Sequence, residues 1–307
     1  MTVRARPPGR SEGRSGRAAP GLAGVCVLLV VAALVSWPAA AAAQAEVPLV
    51  PVVRGAPPGP GAEVVVLCPD LGIRPEVFLA RGRGGLALTL AEAGFRVLLV
   101  DPWNSAAASA DGFDGVMAEV FPDVLARVRA IAGDAPVTFV GHGICGLLPV
   151  AAAASPRGAA LTYRWIALGT RFDWRFLAPR FREWLVAYAA EERPLPRVTQ
   201  AALLTGLRPG LGGRASSMPP TLAQEGDLAE ILYRHYDTGL HRAAPRGVVE
   251  DLLRWSATGS MSSRQGWVDY SAGLQLVTGP ALLVAGMGDP MAPPEDVIVG
   301  FDQLAPR

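Results

Sequence analysis

Continuous apolar runs, rather than alternating ones, mark the strands of this chain. Such runs are typical of strands that are buried on both faces of a parallel sheet. Stretches with helical spacing of apolar residues separate them, notably at 116–132 and 147–154. This alternation predicts an α/β fold with a doubly wound, mostly parallel sheet, and a short edge strand at 49–53 precedes it. The runs, in which Arg96, Thr138 and Arg164 are polar exceptions, are 64–67, 96–100, 137–140, 163–168 and 281–285.

A different kind of sequence lies between the fourth and fifth runs, at 171–279. It holds many of the aromatic residues and a loop rich in Gly, Pro and Ser at 207–220. Because an insertion at this point lies over the carboxyl ends of a parallel sheet, we expect it to form a helical lid. The core then has two parts, 46–170 and 280–307, with the lid between them. Helices within the lid are predicted at 176–190, 222–236, 248–256 and 268–276.

The segment 1–45 has the layout of a secretory signal peptide. Arginines are frequent in its first twenty residues, an apolar run extends from Leu22 to about Val35, and Ala43 and Ala45 provide a cleavage site. The run is shorter than the ~20 residues that a membrane-spanning helix needs. We expect an exported protein, periplasmic or secreted, of a high-GC bacterium. An uncleaved N-terminal membrane anchor is the alternative, and only then would a membrane be a partner.

Composition and charge narrow the range of partners. The formal net charge is +1 and 18% of the residues are charged, so no basic surface for nucleic acid is expected. His and Cys show no metal-ligand spacing, and no metal is predicted. The Gly-rich stretches at 81–85 and 209–213 do not follow a strand, so no cofactor is predicted either. The lid aromatics form the lid's own core or line an apolar pocket for an acyl chain. The oligomeric state stays open.

Three segments at strand ends carry a resemblance to a known family. The letters G-H-G-I-C-G at 141–146 join a strand to a helix and resemble the nucleophile elbow G-H-S-x-G-G of α/β-hydrolases. The letters G-M-G-D-P-M-A-P at 286–293 resemble the family's acid loop. The letters C-P-D-L-G at 68–72 lie where the family has its oxyanion loop. The resemblance extends over about 47–300, and the lid is similar to those of lipases, esterases and polyhydroxyalkanoate synthases.

The resemblance implies a hydrolase of carboxylic esters or lipids. It makes Asp289 the acid of a catalytic triad. It also implies an oxyanion or ligand pocket formed by Leu71, Gly72, His142 and Ile144. A small apolar or ester ligand is the partner that this pocket suggests.

Two departures from the family pattern predict a degenerate active site. Gly143 occupies the position of the nucleophilic serine and brings no side chain. Downstream of Asp289 there is no His to act as the base, and we expect the last strand and helix of the fold to be missing. His235 and His241 belong to the lid, and we expect them to lie on its surface or in a core.

The cysteines leave alternatives open. Cys26 leaves with the signal peptide, so Cys68 and Cys145 remain. In an oxidising compartment these two can pair, or they can stay as buried free thiols. The oxyanion-loop strand neighbours the elbow strand in the family, so the resemblance implies that the thiols lie close enough for a disulfide. Cys145 is also a candidate nucleophile, although it lies two residues beyond the elbow's central position.

The sequence thus predicts an α/β-hydrolase homologue of ester or lipid hydrolase type that is catalytically impaired. One alternative is a non-catalytic exported protein that binds an apolar ligand or partner in the lid cleft. The other is a truncated gene product.

Overall fold

The fold is seen in a computed structural model, which describes most of the chain after the predicted signal peptide. The signal peptide (1–45), the lid helix at 222–236 and the loop at 207–220 lie outside the described residues, as does most of 176–190. The predictions for these segments stay predictions. The described residues are 47–53, 58–79, 85–155, 163–175, 177, 182, 185–186, 242–287, 289 and 291–304.

One sheet organises the described chain. Its strands are β1 (Leu49–Val52), β2 (Val64–Cys68), β3 (Arg96–Val100), β4 (Val137–His142), β5 (Arg164–Leu168) and β6 (Ala281–Val284). They lie in the order β1-β3-β2-β4-β5-β6. β1 runs antiparallel to β3, and every other neighbouring pair is parallel. The mostly parallel α/β sheet and its edge strand are confirmed, because the continuous apolar runs are indeed buried strands.

Helices connect and cover these strands. They are α1 (Leu86–Glu92), α2 (Ala106–Ala110), α3 (Gly112–Gly115), α4 (Phe121–Ala132), α5 (Leu148–Ala154), α6 (Arg246–Thr258) and α7 (Pro294–Asp302). A π-helical turn, Val116–Val120, leads into α4, and 3-10 turns occur at Pro75–Leu79, Gly143–Leu147 and Tyr270–Leu276. None of the helices among the described residues combines the length and the apolar character needed to cross a membrane.

Two elements differ from the sequence expectation. The lid helix expected at 268–276 is a 3-10 turn that packs tightly on α5: a Cβ on Gly273 would lie 1.8 Å from the Val150 carbonyl oxygen. Helix α7 follows β6 although the sequence had not indicated it. Its signal was present, since Pro294 and two acidic residues open the helix. Within the described residues, no strand follows α7.

The larger part of the core lies on the sheet face that α4 and α5 cover. Aromatic rings extend it towards α6: the Phe113 ring centroid lies 4.9 Å from that of Trp255 and 5.2 Å from that of Tyr270, both edge to face. The second half of the predicted lid, 242–279, therefore packs into the core beside α3. The lid boundaries stay predictions, because 187–241 lie outside the described residues.

Candidate active site

The carboxyl ends of the central strands bring the predicted site residues together. Cys68 pairs with Gly141, and His142 pairs with Leu168, so the ends of β2, β4 and β5 are level. The loop that follows β6 carries Asp289 to the same edge. In open α/β sheets this edge is where ligands bind.

A disulfide joins two of the loops at this edge. Cys68 ends β2, Cys145 lies in the 3-10 turn after β4, and their Cα atoms are 5.9 Å apart. Both residues are fully buried. In this bonded form Cys145 has no thiolate, so the second candidate nucleophile is engaged in a covalent cross-link. The bond fixes the oxyanion loop to the elbow.

The backbone of the elbow depends on its glycines. Gly143 has a φ of +56°, in the left-handed region that glycine enters without steric cost. A Cβ on Gly141 would lie 2.5 Å from backbone atoms of Gly146, and a Cβ on Gly146 would lie 2.0 Å from Thr170 Oγ1. The spacing of these glycines is thus a packing requirement of the turn, independent of any catalytic step.

Thr170 supports the elbow from the neighbouring strand. Its buried Oγ1 donates a hydrogen bond of 3.0 Å to the carbonyl oxygen of Gly143. We expect Thr170→Val to lower the free energy of unfolding by about 1 kcal/mol, because the buried Gly143 carbonyl oxygen loses one of its hydrogen bonds. Urea unfolding measures this loss. Thr170→Ser keeps the hydroxyl and should lose less; a valine variant as stable as the wild type would contradict the assignment.

The Asp70 carboxyl group lies beside Gly143, the elbow position at which the resemblance expects a nucleophile. A Cβ on Gly143 would lie 2.0 Å from Asp70 Cγ, 2.2 Å from Oδ1 and 2.3 Å from Oδ2. The Asp70 carboxyl group therefore fills the space into which a side chain at position 143 would project. Asp70 was not among the site residues predicted from the sequence, although it lies in the C-P-D-L-G segment.

One oxygen of this carboxyl group is bound by two backbone amides. Asp70 Oδ1 accepts hydrogen bonds from the N–H of Leu71 at 2.7 Å and of Ile144 at 2.8 Å. In α/β-hydrolases the oxyanion hole consists of the N–H after the nucleophile and an N–H from the loop after a neighbouring strand. Leu71 and Ile144 lie at the corresponding positions of this chain, and both of their N–H groups bind the Asp70 carboxyl group.

The electrostatics of Asp70 reflect its setting. Burial raises the pKa of Asp70, and repulsion by Asp289 adds to this effect. Attraction to His142 and the two amide hydrogen bonds lower it, but they do not outweigh burial. The Asp70 side chain is partly buried, and among the described residues the N–H groups of Leu71 and Ile144 donate to it.

Asp289 is held in a turn. Its Oδ1 accepts hydrogen bonds from the N–H groups of Met291 at 2.8 Å and Ala292 at 3.1 Å. Its Oδ2 faces the end of β5, where a Cβ on Gly169 would lie 3.1 Å away. Among the described residues, His142 is the imidazole of this edge, since the predicted lid positions His235 and His241 are not described.

Gly72, a predicted pocket residue, binds the backbone of Arg242. Its carbonyl oxygen accepts a hydrogen bond from the Arg242 N–H at 2.9 Å, and its φ is +76°. The Arg242 guanidinium forms a bidentate ion pair with Asp101, which follows β3. Burial raises the pKa of Asp101 against the attraction of Arg242. The backbone bond to Gly72 and the ion pair with Asp101 together hold Arg242 against the loops that follow β2 and β3.

Metal chemistry has no visible donor set in the part of the chain that the structure describes: no group of three or more His, Cys, Asp and Glu side chains is arranged to hold an ion. The described groups at this edge are two carboxyl groups, one imidazole and two backbone amides.

Comparison with known proteins identifies the fold. No family model matches the chain, and no curated relative matches it. Solved structures do. An enol-lactonase from Burkholderia xenovorans is 19% identical with a TM-score of 0.55, covering 86% of this chain and 87% of its own. A hydrolase from Pseudomonas aeruginosa is 17% identical with a TM-score of 0.53, covering 85% and 88%.

A third similar structure is a protein proposed to be a non-haem bromoperoxidase of Mycobacterium tuberculosis. It is 15% identical with a TM-score of 0.56, and the alignment covers 84% of each chain. These three neighbours are members of the α/β-hydrolase family. At these identities the likeness concerns the fold: this chain has the α/β-hydrolase fold.

Proposed function

We propose that this chain is an exported α/β-hydrolase homologue of the ester and lipid hydrolase type that has lost ester hydrolysis at its elbow. One observation carries the proposal: the Asp70 carboxyl group occupies the oxyanion hole through Leu71 and Ile144. A tetrahedral intermediate needs these donors for its own oxyanion. Removing a single such donor costs about 10²- to 10³-fold in kcat.

The loss of the other catalytic parts supports the same conclusion. Gly143 supplies no nucleophile, and Cys145 is engaged with Cys68. Without a nucleophile and its base, only a small residual rate enhancement remains in enzymes of the serine type. The ester and lipid class is supported by the lactonase among the structural neighbours and by the family motifs around the elbow.

Export is supported by two independent features. The segment 1–45 has the layout of a signal peptide. The disulfide between Cys68 and Cys145 is of a kind that persists in oxidising compartments and is rare in the cytosol. Determination of the N-terminus of the mature protein from its native host would test cleavage near Ala45.

An assay with p-nitrophenyl butyrate tests the loss of ester hydrolysis. We expect the purified wild type to show no turnover above the buffer rate. Gly143→Ser should remain inactive, because Asp70 still fills the oxyanion hole. The double variant Asp70→Ala/Gly143→Ser frees the two N–H groups but should also stay inactive, because no histidine base is placed beside the new serine.

A heat-unfolded sample of each protein is the matched control for contaminating esterase. Wild-type turnover that co-purifies with the chain and disappears on unfolding would contradict the proposal. Ester hydrolysis by Gly143→Ser alone would show that Asp70 does not block the hole.

A further inference from the structure

An open groove of about 480 Å³ lies on the sheet face that carries α1, between α1 and β6. Its volume is within the range of about 300 to 1,000 Å³ that is usual for small-molecule sites. Asp70, Gly143 and Asp289 are not among the residues that line it. The groove is therefore separate from the candidate active site.

The strand register explains the apolar floor of this groove. Val140 pairs with Ile166 and Ile166 pairs with Leu282, so the three side chains form one row across β4, β5 and β6. Leu86 and Leu90, one turn apart on α1, form a wall beside this row. Leu282 is 55% exposed and Leu86 is 42% exposed. An alkyl chain in the groove would remove this apolar surface from water.

The amino end of the groove is polar. Thr138 and Arg164 pair with each other two residues before Val140 and Ile166, so they lie on the same face as the apolar row. Glu63 lies at this end as well. Its Oε1 accepts a hydrogen bond from the Thr138 hydroxyl, and its Oε2 accepts one of 2.6 Å from Arg164 Nη1. Both oxygens of the Glu63 carboxylate are thus engaged.

The donors that remain on Arg164 indicate the head group of a ligand. A guanidinium has five N–H donors. Within the part of the chain that the structure describes, the bond to Glu63 is the one side-chain hydrogen bond of Arg164, and the side chain is 50% exposed. The end of the groove is therefore rich in unused donors. A carboxylate is complementary to them, because it accepts two parallel N–H bonds from one guanidinium.

We propose that this groove binds a single-chain fatty acid, whose carboxylate is bound by Arg164 and whose alkyl chain lies along the apolar row. The groove follows β5 from Arg164 to Leu168, which is a length of about 13 Å at the rise of a β-strand. An unbranched chain fits this shape. The site is independent of the proposed loss of ester hydrolysis, because it uses none of the residues at the elbow.

Isothermal titration calorimetry with sodium decanoate, below its micelle concentration, tests this proposal on the purified chain. We expect saturable binding of one decanoate per chain. Decan-1-ol has the same alkyl chain without the charge, and it should bind at least about tenfold more weakly, because the charge-assisted contact with Arg164 is lost. Equal binding of the two probes would contradict the assignment of the head group.

Two variants with opposite effects separate binding from stability. Arg164→Gln should weaken decanoate binding at least about tenfold and leave decan-1-ol binding unchanged. Glu63→Gln should strengthen decanoate binding, because it removes the negative charge that competes for Arg164. A general loss of stability would weaken binding in both variants. Arg246→Gln is the matched control: it removes an exposed arginine that is paired with Glu250 on α6, and it should bind as the wild type does.

Leu282→Asp tests the apolar part of the groove. Leu282 is more than half exposed on the edge strand β6, so the variant should keep the circular dichroism of the wild type but lose binding of both probes. No saturable binding of decanoate by the wild type, or binding that neither Arg164→Gln nor Leu282→Asp changes, would overturn the proposal.

Light scattering after size-exclusion chromatography tests the other occupant of such a face, a second copy of this chain. A wild-type dimer that does not bind decanoate and that Leu282→Asp converts to monomers would overturn the fatty-acid proposal in favour of that copy. None of these results bears on the loss of ester hydrolysis, which the butyrate assay measures separately.

Discussion

Gly143→Ala will lower the free energy of unfolding by roughly 2 to 6 kcal/mol. Two costs combine at this position. An L-residue at a φ of +56° carries strain of about 1 to 3 kcal/mol. The added methyl group also meets the Asp70 carboxyl group at 2.0 Å, and over-packing in a well-packed site costs about 1 to 3 kcal/mol. Urea unfolding followed by circular dichroism measures the sum.

Two further proteins separate these costs. Gly133 has a similar φ of +58°, and a Cβ there would meet nothing within 4 Å, so Gly133→Ala reports strain without the clash. In the variant Asp70→Ala/Gly143→Ala the clash is relieved, and the double change should cost at least about 1 kcal/mol less than the two single changes together. Two results together would contradict this contact: Gly143→Ala costs no more free energy of unfolding than Gly133→Ala, and the effects of Asp70→Ala and Gly143→Ala are additive. In that case Asp70 does not fill this space.

The coupling of these two positions changes the meaning of the glycine at the elbow. From the sequence alone, Gly143 is a missing serine. In the structure, it is the residue that allows the Asp70 carboxyl group to stand where a serine would. Each residue requires the other: a side chain at 143 displaces the carboxylate, and only the carboxylate makes use of the space. At the elbow, the absence of a side chain at position 143 thus goes together with the placement of the Asp70 carboxyl group in the same space.

The sheet could be predicted because each strand has a recognisable local sequence pattern. Residues 97–100 are all apolar and all buried, and β3 has the bounds expected from the sequence. Glycine-rich turns and helix-forming stretches then leave few ways to order the strands. Helix α7 was missed because the expectation of a missing C-terminal element took precedence over the start signal at Pro294.

The role of Asp70 could not be predicted in the same way. Its contact with Ile144 joins positions 74 residues apart and depends on the register between β2 and β4. No local pattern contains that register. The resemblance predicted Leu71 and Gly72 as site residues because the family's oxyanion loop acts through its backbone N–H groups. The acceptor that fills the hole is the side chain just before them.

The aromatic core beyond the sheet shows the same limit. Asp251, buried in α6, accepts a hydrogen bond of 2.8 Å from the Phe113 N–H, 138 residues away. Tyr270 donates to Asp114 at 2.7 Å from a third part of the chain. These bonds draw 242–279 into the core. Composition alone assigned this segment to an insertion, because a pattern of aromatics cannot tell which surface it packs against.

The disulfide carries the second large expected effect. Reduction, or the double change Cys68→Ala/Cys145→Ala, should lower the free energy of unfolding by about 4 kcal/mol. The bond spans a sequence separation of 77 residues, and closing a loop of that length removes chain entropy from the unfolded state in proportion to the logarithm of its length. Urea unfolding with and without dithiothreitol measures the effect on the wild type.

The alanine variant supplies the control for this experiment. Its unfolding should not respond to dithiothreitol, whereas the wild type should shift to the stability of the variant or slightly above it, since reduced thiols still fill their buried sites. Alkylation in denaturant without reductant provides the direct count. Modification of both thiols under those conditions would show that the bond is absent. In that case the link between elbow and oxyanion loop, on which the fixed position of Asp70 depends, would rest on the backbone hydrogen bonds alone.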